Sequence, residues 1–293
     1  MALYVSTNIS SLNAGRQLGK ATHSLDTTYK RLSSGLRINS SKDDAAGLQI
    51  SNRLTAQING LNQGNRNAND GIALAQTAEG ALDEVTNMLQ RIRTLALQSA
   101  NGTNTTADRT SLQSEVAQLS SEIARISCKT TFAGNEILAG ASKGLLDSQG
   151  KLSLQVGANA NDTITVSLSV GFTISKMQAD STVSTKGLTT DKKSFDVSTA
   201  TKAQNVLEGI DSFISFVDKA RGQLGAVQNR LESTIANQAN IAENESDARS
   251  RIRDTDYAEE AANLSQQTIV QQAASSMLTQ ANSRPQIALS LLG

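Results

Sequence analysis

Three adjacent ionisable residues, Lys42, Asp43 and Asp44, form the first group in the sequence whose types can do chemistry. Two neighbouring carboxylates beside an ammonium group can bind a divalent cation or move protons. Acidic residues are also favoured at the start of a helix, where the helix dipole stabilises negative charge. Because a long helical pattern begins directly after the cluster, we interpret it as a helix N-terminus, with Ser40 or Ser41 as the cap and both acids in the first turn.

The remaining chemistry-bearing residues are few and scattered. The four acids between residues 254 and 260 lack the ligand spacing and the glycine of an EF-hand loop, so we interpret them as a polar helix face. Cys128 is the only cysteine. It excludes an intrachain disulfide, and its place at the end of a helical stripe indicates packing rather than redox chemistry. His23 is the only histidine. A multi-histidine metal site is thereby excluded, and a surface or interhelix position is favoured over a pH switch.

The sequence contains none of the short motifs that mark common enzyme classes. We find no P-loop, HExxH, GxSxG or dinucleotide fingerprint. Aromatic residues make up 3% of the chain, and 27 basic residues balance 27 acidic ones. No apolar run reaches the roughly 18 residues that a membrane span needs. We therefore expect no enzymatic activity, no cofactor and no metal, and neither nucleic acid nor a membrane as partner.

Long helices must carry most of the chain, since its single proline comes near the C-terminus. At the N-terminal end, Leu18, Leu25 and Leu32 repeat every seven residues, with Ile9 and Leu12 ahead of them. This thin stripe is typical of a coiled-coil seam. Three further stretches alternate apolar residues in steps of three and four, which predicts amphipathic helices. They are 82–96, 112–126 and 206–234.

The centre of the chain has a different composition, rich in Gly, Ser, Thr, Lys and Asp from 129 to 200. Residues 151–157 and 162–169 alternate apolar and polar side chains around an ANAN turn, which predicts a β-hairpin. The segment 175–200 has little apolar content, and we expect an exposed loop there. A turn at 101–108 separates the two helices before this region, and Thr106 or Asp108 is the candidate cap of the second helix.

The two ends of the chain are complementary. Residues 1–40 carry a surplus of positive charge, residues 254–293 carry a surplus of negative charge, and the almost uncharged stretch 273–293 is apolar enough to need a cover. We predict a mainly α fold: a long antiparallel helical and coiled-coil rod with a small β-hairpin-containing tip, whose N- and C-terminal helices pair at the same end. Its five segments are the N-terminal core helix and spoke loop (1–42), a helical hairpin (43–128), the β-rich tip (129–200), a return helix (201–253) and the C-terminal core helix (254–293).

Several long blocks closely resemble bacterial flagellin. They are STNISSLNAGRQL, RLSSGLRINSSKDDAAGLQISNRL and GIALAQTAEGALDEVTNMLQRIRTLALQSANGTNT in the first half, and SRIRDTDYAEEAANLSQQTIVQQAASSMLTQAN and the closing LSLLG in the second. The resemblance covers about residues 1–140 and 201–293. The short centre is similar to a minimal flagellin tip without large outer domains.

The resemblance implies a structural subunit that polymerises into the flagellar filament, the propeller for swimming, and that is secreted by the flagellar type III apparatus without a cleaved signal. It implies spoke-loop residues Arg37, Lys42, Asp43 and Asp44, and a recognition patch for Toll-like receptor 5 at Arg91, Leu95 and Glu115. The filament core would be packed by apolar residues of both terminal helices: Ile9, Leu12, Leu18, Leu25, Leu32, Leu264, Ile269, Leu278, Ile287, Leu289, Leu291 and Leu292.

The implied partners are further copies of the chain, the export apparatus and its secretion chaperone, and the filament cap and hook–filament junction proteins. The host receptor is a partner of the released monomer. Two alternatives belong to the same system. A hook-associated junction protein shares such termini, whereas a flagellin with an inserted zinc protease is excluded because no histidine follows His23.

Overall fold

The computed structural model describes residues 7–140, 145–168, 171–179 and 182–290, and gives only the backbone for 285–290. Within these ranges the chain is mainly helical, which confirms the predicted fold class. The elements are helices α1 (Ile9–Ser34), α2 (Ala45–Ala100), α3 (Thr106–Lys129), α4 (Ile174–Met177), α5 (Ala200–Arg253) and α6 (Tyr257–Ser290), and strands β1 (Thr131–Phe132), β2 (Asn135–Glu136), β3 (Lys151–Gln155) and β4 (Thr163–Ser167).

The chain divides into two compact units. One unit consists of Met1–Ile58 together with Glu243–Gly293, and the other consists of Asn59–Ala242. The first unit therefore brings together residues from both ends of the sequence. The five segments expected from the sequence stay a prediction.

The unit Asn59–Ala242 holds the hydrophobic core. The heptad positions of α2, α3 and α5 supply most of it, and Phe195 meets Phe213 edge to face with ring centroids 5.1 Å apart. Each of these helices buries its apolar side chains on one face and exposes polar side chains on the opposite face. The helical core residues include Leu82, Val85, Leu89, Ile92, Val116, Ile123, Val206, Ile210, Phe213, Val217 and Leu224.

The predicted β-hairpin is present as β3 and β4, paired antiparallel from Lys151 opposite Ser167 to Gln155 opposite Thr163. Its turn end lies directly on α2, at the glycines of that helix. A Cβ atom on Gly64 would come within 1.7 Å of the Val156 carbonyl oxygen. Only a residue without a side chain allows this approach.

The expectation of an exposed loop over 175–200 is wrong in part. Phe195 and Val197 are buried in the core. The side chain of Gln113 holds this stretch in place: its Nε2 donates to the Phe195 carbonyl at 3.0 Å, and its Oε1 accepts from the Val197 N–H at 2.6 Å. Ser99 Oγ also donates to the Val197 carbonyl, at 2.6 Å. These contacts fasten the segment to α2 and α3.

Two helix caps differ from the predicted ones. α2 begins after Asp44, whose carboxylate accepts from the Gly47 N–H at 2.9 Å, so this acid rather than Ser40 or Ser41 caps the helix. Thr105 caps α3 in a reciprocal capping box with Asp108. In both cases a neighbouring acceptor fits the helix entry better than the expected residue.

Candidate assembly interface of the terminal helices

Helices α1 and α6 lie antiparallel against each other. At one end of the pair, Asn8 Nδ2 donates to the Ala281 carbonyl at 2.7 Å. At the other end, Arg31 Nη1 lies 3.9 Å from the Glu260 carboxylate, whose side chain is only 8% exposed. The predicted pairing of oppositely charged ends is therefore confirmed, and an ion pair between a half-buried cation and a buried acid joins the two helices at this end.

The contact face of the pair repeats every seven residues in both helices, as a coiled-coil seam does. Predicted packing residues Leu18, Leu25, Leu32, Leu264 and Leu278 are all half-buried on this face. Small residues fill the positions between them, and two of these, Ala21 and Ala281, are buried. Because the buried positions are small and the leucines only half-buried, the seam buries little apolar area.

A second set of apolar residues points away from this seam. Ile9 and Ile269 are each 66% exposed, although both are predicted packing residues. Leu12 is exposed in the same way, as are Val270 and Met277, which are not among the predicted packing residues. The described part of α6 between its first turn and residue 284 carries no charged side chain. The outer face of α6 is therefore uncharged and partly apolar, and no other part of the chain among the described residues covers it. Exposed patches of this kind mark interaction sites.

A shallow groove of about 410 Å³ runs between the two helices near one end of the pair. Its walls include Ala14, Gln17, Ala274 and Met277. Polar residues and Arg284 line the groove as well, so it can receive an amphipathic segment from another molecule. Of the remaining predicted packing residues, Leu291 and Leu292 lie outside the described residues, and so do the side chains of Ile287 and Leu289.

The predicted spoke loop joins α1 to α2 beside the linker between α5 and α6. Gly35 takes a left-handed conformation with φ of 71°, which ends α1. The N–H of Arg37 then donates to the Arg253 carbonyl at 2.7 Å, and the N–H of Thr255 donates to the Gly35 carbonyl at 3.0 Å. Arg37 also donates from Nη2 to the Ile252 carbonyl at 2.6 Å. The two linkers are thus held together by backbone bonds on both sides of one crossing point.

The other three predicted spoke residues have separate local roles. The backbone N–H of Ser40 donates to the Asp43 carboxylate at 2.8 Å. This hydrogen bond is the largest of several interactions that hold the pKa of Asp43 below its usual value. Asp44 caps α2, and Lys42 is exposed. No group of histidine, cysteine and acidic side chains in the described parts of the chain could hold a metal ion.

The predicted receptor residues lie together on α2 and α3, within the other unit. Arg91 and Glu115 are exposed and form an ion pair with 2.8 Å between Nη2 and Oε1. Leu95 is 1% exposed and packs in the core. An approaching protein would therefore contact the Arg91–Glu115 pair, while Leu95 packs α2 against the core.

Two family models match the chain. The bacterial flagellin N-terminal helical region matches residues 5–143, and the bacterial flagellin C-terminal helical region matches residues 207–292. Together they cover most of the sequence, including both terminal helices. The chain belongs to the bacterial flagellin family. Helix α1 lies in the N-terminal family region and α6 in the C-terminal one, and the short centre of the sequence lies between the two regions.

Relatives of this flagellin match it over its whole length. Flagellin D of Vibrio anguillarum is 39% identical over 379 aligned positions, and flagellin A of Vibrio cholerae is 36% identical over 385; each alignment covers 100% of both chains. Since this chain has 293 residues, both relatives contain segments that it lacks. A solved structure from Vibrio parahaemolyticus, provisionally assigned as flagellar hook-associated, matches with a TM-score of 0.55 at 16% identity over 72% of this chain and 99% of that one. That likeness shows the fold alone.

This flagellin is a structural protein of the flagellum by family. None of its helices, over the residues that the structure describes, has the length and apolar content to cross a membrane.

Proposed function

We propose that this flagellin is the subunit that polymerises into the extracellular flagellar filament. The observation that carries the proposal is the uncovered face of α1 and α6, where Ile9, Leu12, Ile269 and Met277 are exposed and charge is absent from most of α6. Burial of this face against a different patch of a second copy makes a head-to-tail contact, and repetition of one such contact builds a helical polymer. Its further proposed partners are the export apparatus and secretion chaperone, and the cap and junction proteins of the filament.

A pair of substitutions at Ile269 tests the proposal. Ile269→Asp places a charge on the exposed face without touching the seam, so the monomer should keep its helical content and its thermal midpoint. Polymerisation, followed by sedimentation and electron microscopy, should be lost, because an unpaired charge would be buried in the contact. Ile269→Leu keeps the apolar character and should form normal filaments. Equal polymerisation of the two variants would overturn the assignment of this face.

The alternative of a hook-associated junction protein is separated from this proposal by self-assembly. Purified monomer that grows into long filaments without other proteins supports the filament subunit. Monomer that binds hook ends in few copies and never elongates supports the junction protein. Family membership and the full-length match to proteins named flagellin favour the filament subunit.

Recognition of the released monomer by Toll-like receptor 5 is a finer part of the proposal. Its support is the exposed Arg91–Glu115 pair, with Leu95 holding α2 in place beneath it. Arg91→Ala should therefore lower receptor activation in reporter cells. Arg93→Ala is the matched control, because Arg93 forms a similar exposed pair with Asp211 at 2.9 Å on another face of the same helix. Equal loss in both variants would contradict the placement of the patch.

A further inference from the structure

The sequence contains two Asn-Gly dipeptides, and the structure holds them in different ways. Asn59–Gly60 lies inside α2, and Asn101–Gly102 lies in the turn between α2 and α3. Both asparagine side chains are exposed, so access of water is similar. What differs is the freedom of the backbone nitrogen that follows each asparagine.

The turn places the groups of Asn101 for reaction. The N–H of Thr103 donates to Asn101 Oδ1 at 3.4 Å, which turns the side-chain amide toward the following backbone and polarises its carbonyl. No acceptor for the Gly102 N–H is found among the described residues. A Cβ atom on Gly102 would meet nothing within 4 Å, so the space around this glycine is open.

At Asn59, the helix keeps the following backbone nitrogen away from the asparagine side chain. The Gly60 N–H is part of the helical hydrogen-bond ladder, which fixes its direction along the axis and away from the Asn59 side chain. Gly60 is also held by packing, because a Cβ atom there would lie 2.7 Å from the Cβ of Ala158. Asn59 can react only after local opening of α2.

We propose that Asn101 is a site of spontaneous deamidation in the folded protein. The backbone nitrogen of Gly102 attacks Cγ of Asn101 and loses its proton to water. The new C–N bond closes a five-membered succinimide ring, and the Cγ–Nδ2 bond breaks with release of ammonia. Water then opens the ring at either carbonyl and leaves aspartate or isoaspartate. The reaction involves no oxidant and no enzyme.

The products change the junction of two helices. The Asn101 carbonyl accepts from Arg109 Nη2 at 3.0 Å, and Arg109 Nε caps the Ser99 carbonyl at 2.9 Å. Isoaspartate routes the backbone through the former side chain and displaces that carbonyl. Either product also places negative charge at the C-terminal end of α2, where the helix dipole disfavours it. Deamidation therefore loosens the α2–α3 turn with age.

Peptide mapping by mass spectrometry of the aged full-length monomer tests the site. The peptide that contains Asn101 should gain about 1 Da with time at mildly alkaline pH, while the peptide that contains Asn59 should react at least about tenfold more slowly, the factor that a local opening free energy of about 1.4 kcal/mol imposes. In denaturant both peptides should react at similar rates. Similar rates in the native protein, or an unchanged Asn101 peptide when the denatured chain reacts, would overturn the proposal.

Gly102→Ala is the variant that leaves the fold intact. Gly102 has no left-handed backbone angle and open space at its Cβ position, so alanine fits without strain. The added methyl group hinders attack by the nitrogen, and Asn101 should deamidate several-fold more slowly at an unchanged circular dichroism spectrum. Undiminished deamidation in this variant would contradict the backbone route.

Discussion

Replacement of Gly64 by alanine tests how closely the β3–β4 hairpin sits on α2. The new Cβ would lie 1.7 Å from the Val156 carbonyl oxygen, so the end of the hairpin has to move away. That movement breaks the hydrogen bond from Gln238 Nε2 to the Val156 carbonyl, at 2.7 Å, and the one from Asn67 Nδ2 to the Gln155 carbonyl, at 2.8 Å. It also exposes part of Val156, which is now buried.

The magnitude follows from these losses. Two hydrogen bonds contribute about 1 kcal/mol each, and partial exposure of a buried valine costs up to about 1.5 kcal/mol. Alanine is preferred over glycine inside a helix by about 1 kcal/mol, which offsets part of the loss. We expect Gly64→Ala to lower the free energy of unfolding by about 2–3 kcal/mol and the thermal midpoint by about 5–10 °C.

Two other glycines of α2 serve as controls. A Cβ on Gly80 would meet nothing within 4 Å, so Gly80→Ala should stabilise the protein by up to about 1 kcal/mol. A Cβ on Gly71 would meet the Cδ1 atom of Leu154 at 2.4 Å, which a rotation of that side chain relieves, so Gly71→Ala should fall between the two. Urea denaturation of the three monomeric variants gives the ranking. A change in the free energy of unfolding of the same sign and size for Gly64→Ala and Gly80→Ala would refute the close contact between the hairpin and α2.

Three further outcomes are expected. Arg109→Ala removes the cap of α2 and should lower stability by about 1 kcal/mol, whereas Arg125→Ala, in an exposed pair within one helix, should change nothing measurable; equal effects would refute the cap. Burial raises the pKa of Asp196, but hydrogen bonds from neighbouring side chains outweigh it and hold the pKa low. Asp196→Asn should therefore destabilise at neutral pH, with a difference from the parent protein that declines as the pH falls below about 4 and is lost once the pH passes the lowered pKa; a pH-independent difference would contradict this linkage. Deletion of residues 1–40 and 254–293 should leave a folded monomer that does not polymerise, and normal filaments in electron microscopy would refute the role of the ends.

The helices and the main hairpin were predictable because each follows a simple repeat. Apolar residues spaced by three and four bury one face of α2, α3 and α5, and alternation buries one face of β4, where Ile164 and Val166 point inward. A repeat reports burial only when one element packs along a continuous surface. The pairing of α1 with α6 was predictable from other signals: the two ends carry opposite charge, the N-terminal stretch has a seven-residue leucine repeat, and the C-terminal stretch is apolar enough to need a cover.

The docking of residues 182–199 could not be read from such a pattern. Phe195 and Val197 are two apolar residues among polar neighbours, and the bonds that hold them come from Gln113 and Ser99 on distant helices. The helix caps were mispredicted for a local reason. Several adjacent Ser, Thr and Asp side chains can each accept a hydrogen bond from the first N–H groups of a helix, and small differences in backbone direction decide which of them does. The close seat of Val156 on Gly64 likewise depends on a tertiary contact.

The candidate assembly face follows from the small apolar area that the seam of α1 and α6 buries. Helices of 26 and 34 residues lose a large conformational entropy on ordering, and burial of apolar surface must offset it. Yet the large side chains of the seam are only half-buried, and the buried positions are small or polar, such as Ala21, Thr28 and Ala281. The apolar residues that would supply the missing burial, Ile9 and Ile269 among them, point outward. A pair built in this way gains its full stability only when other copies cover it, so polymerisation and the folding of the terminal helices are, in the proposed function, one process.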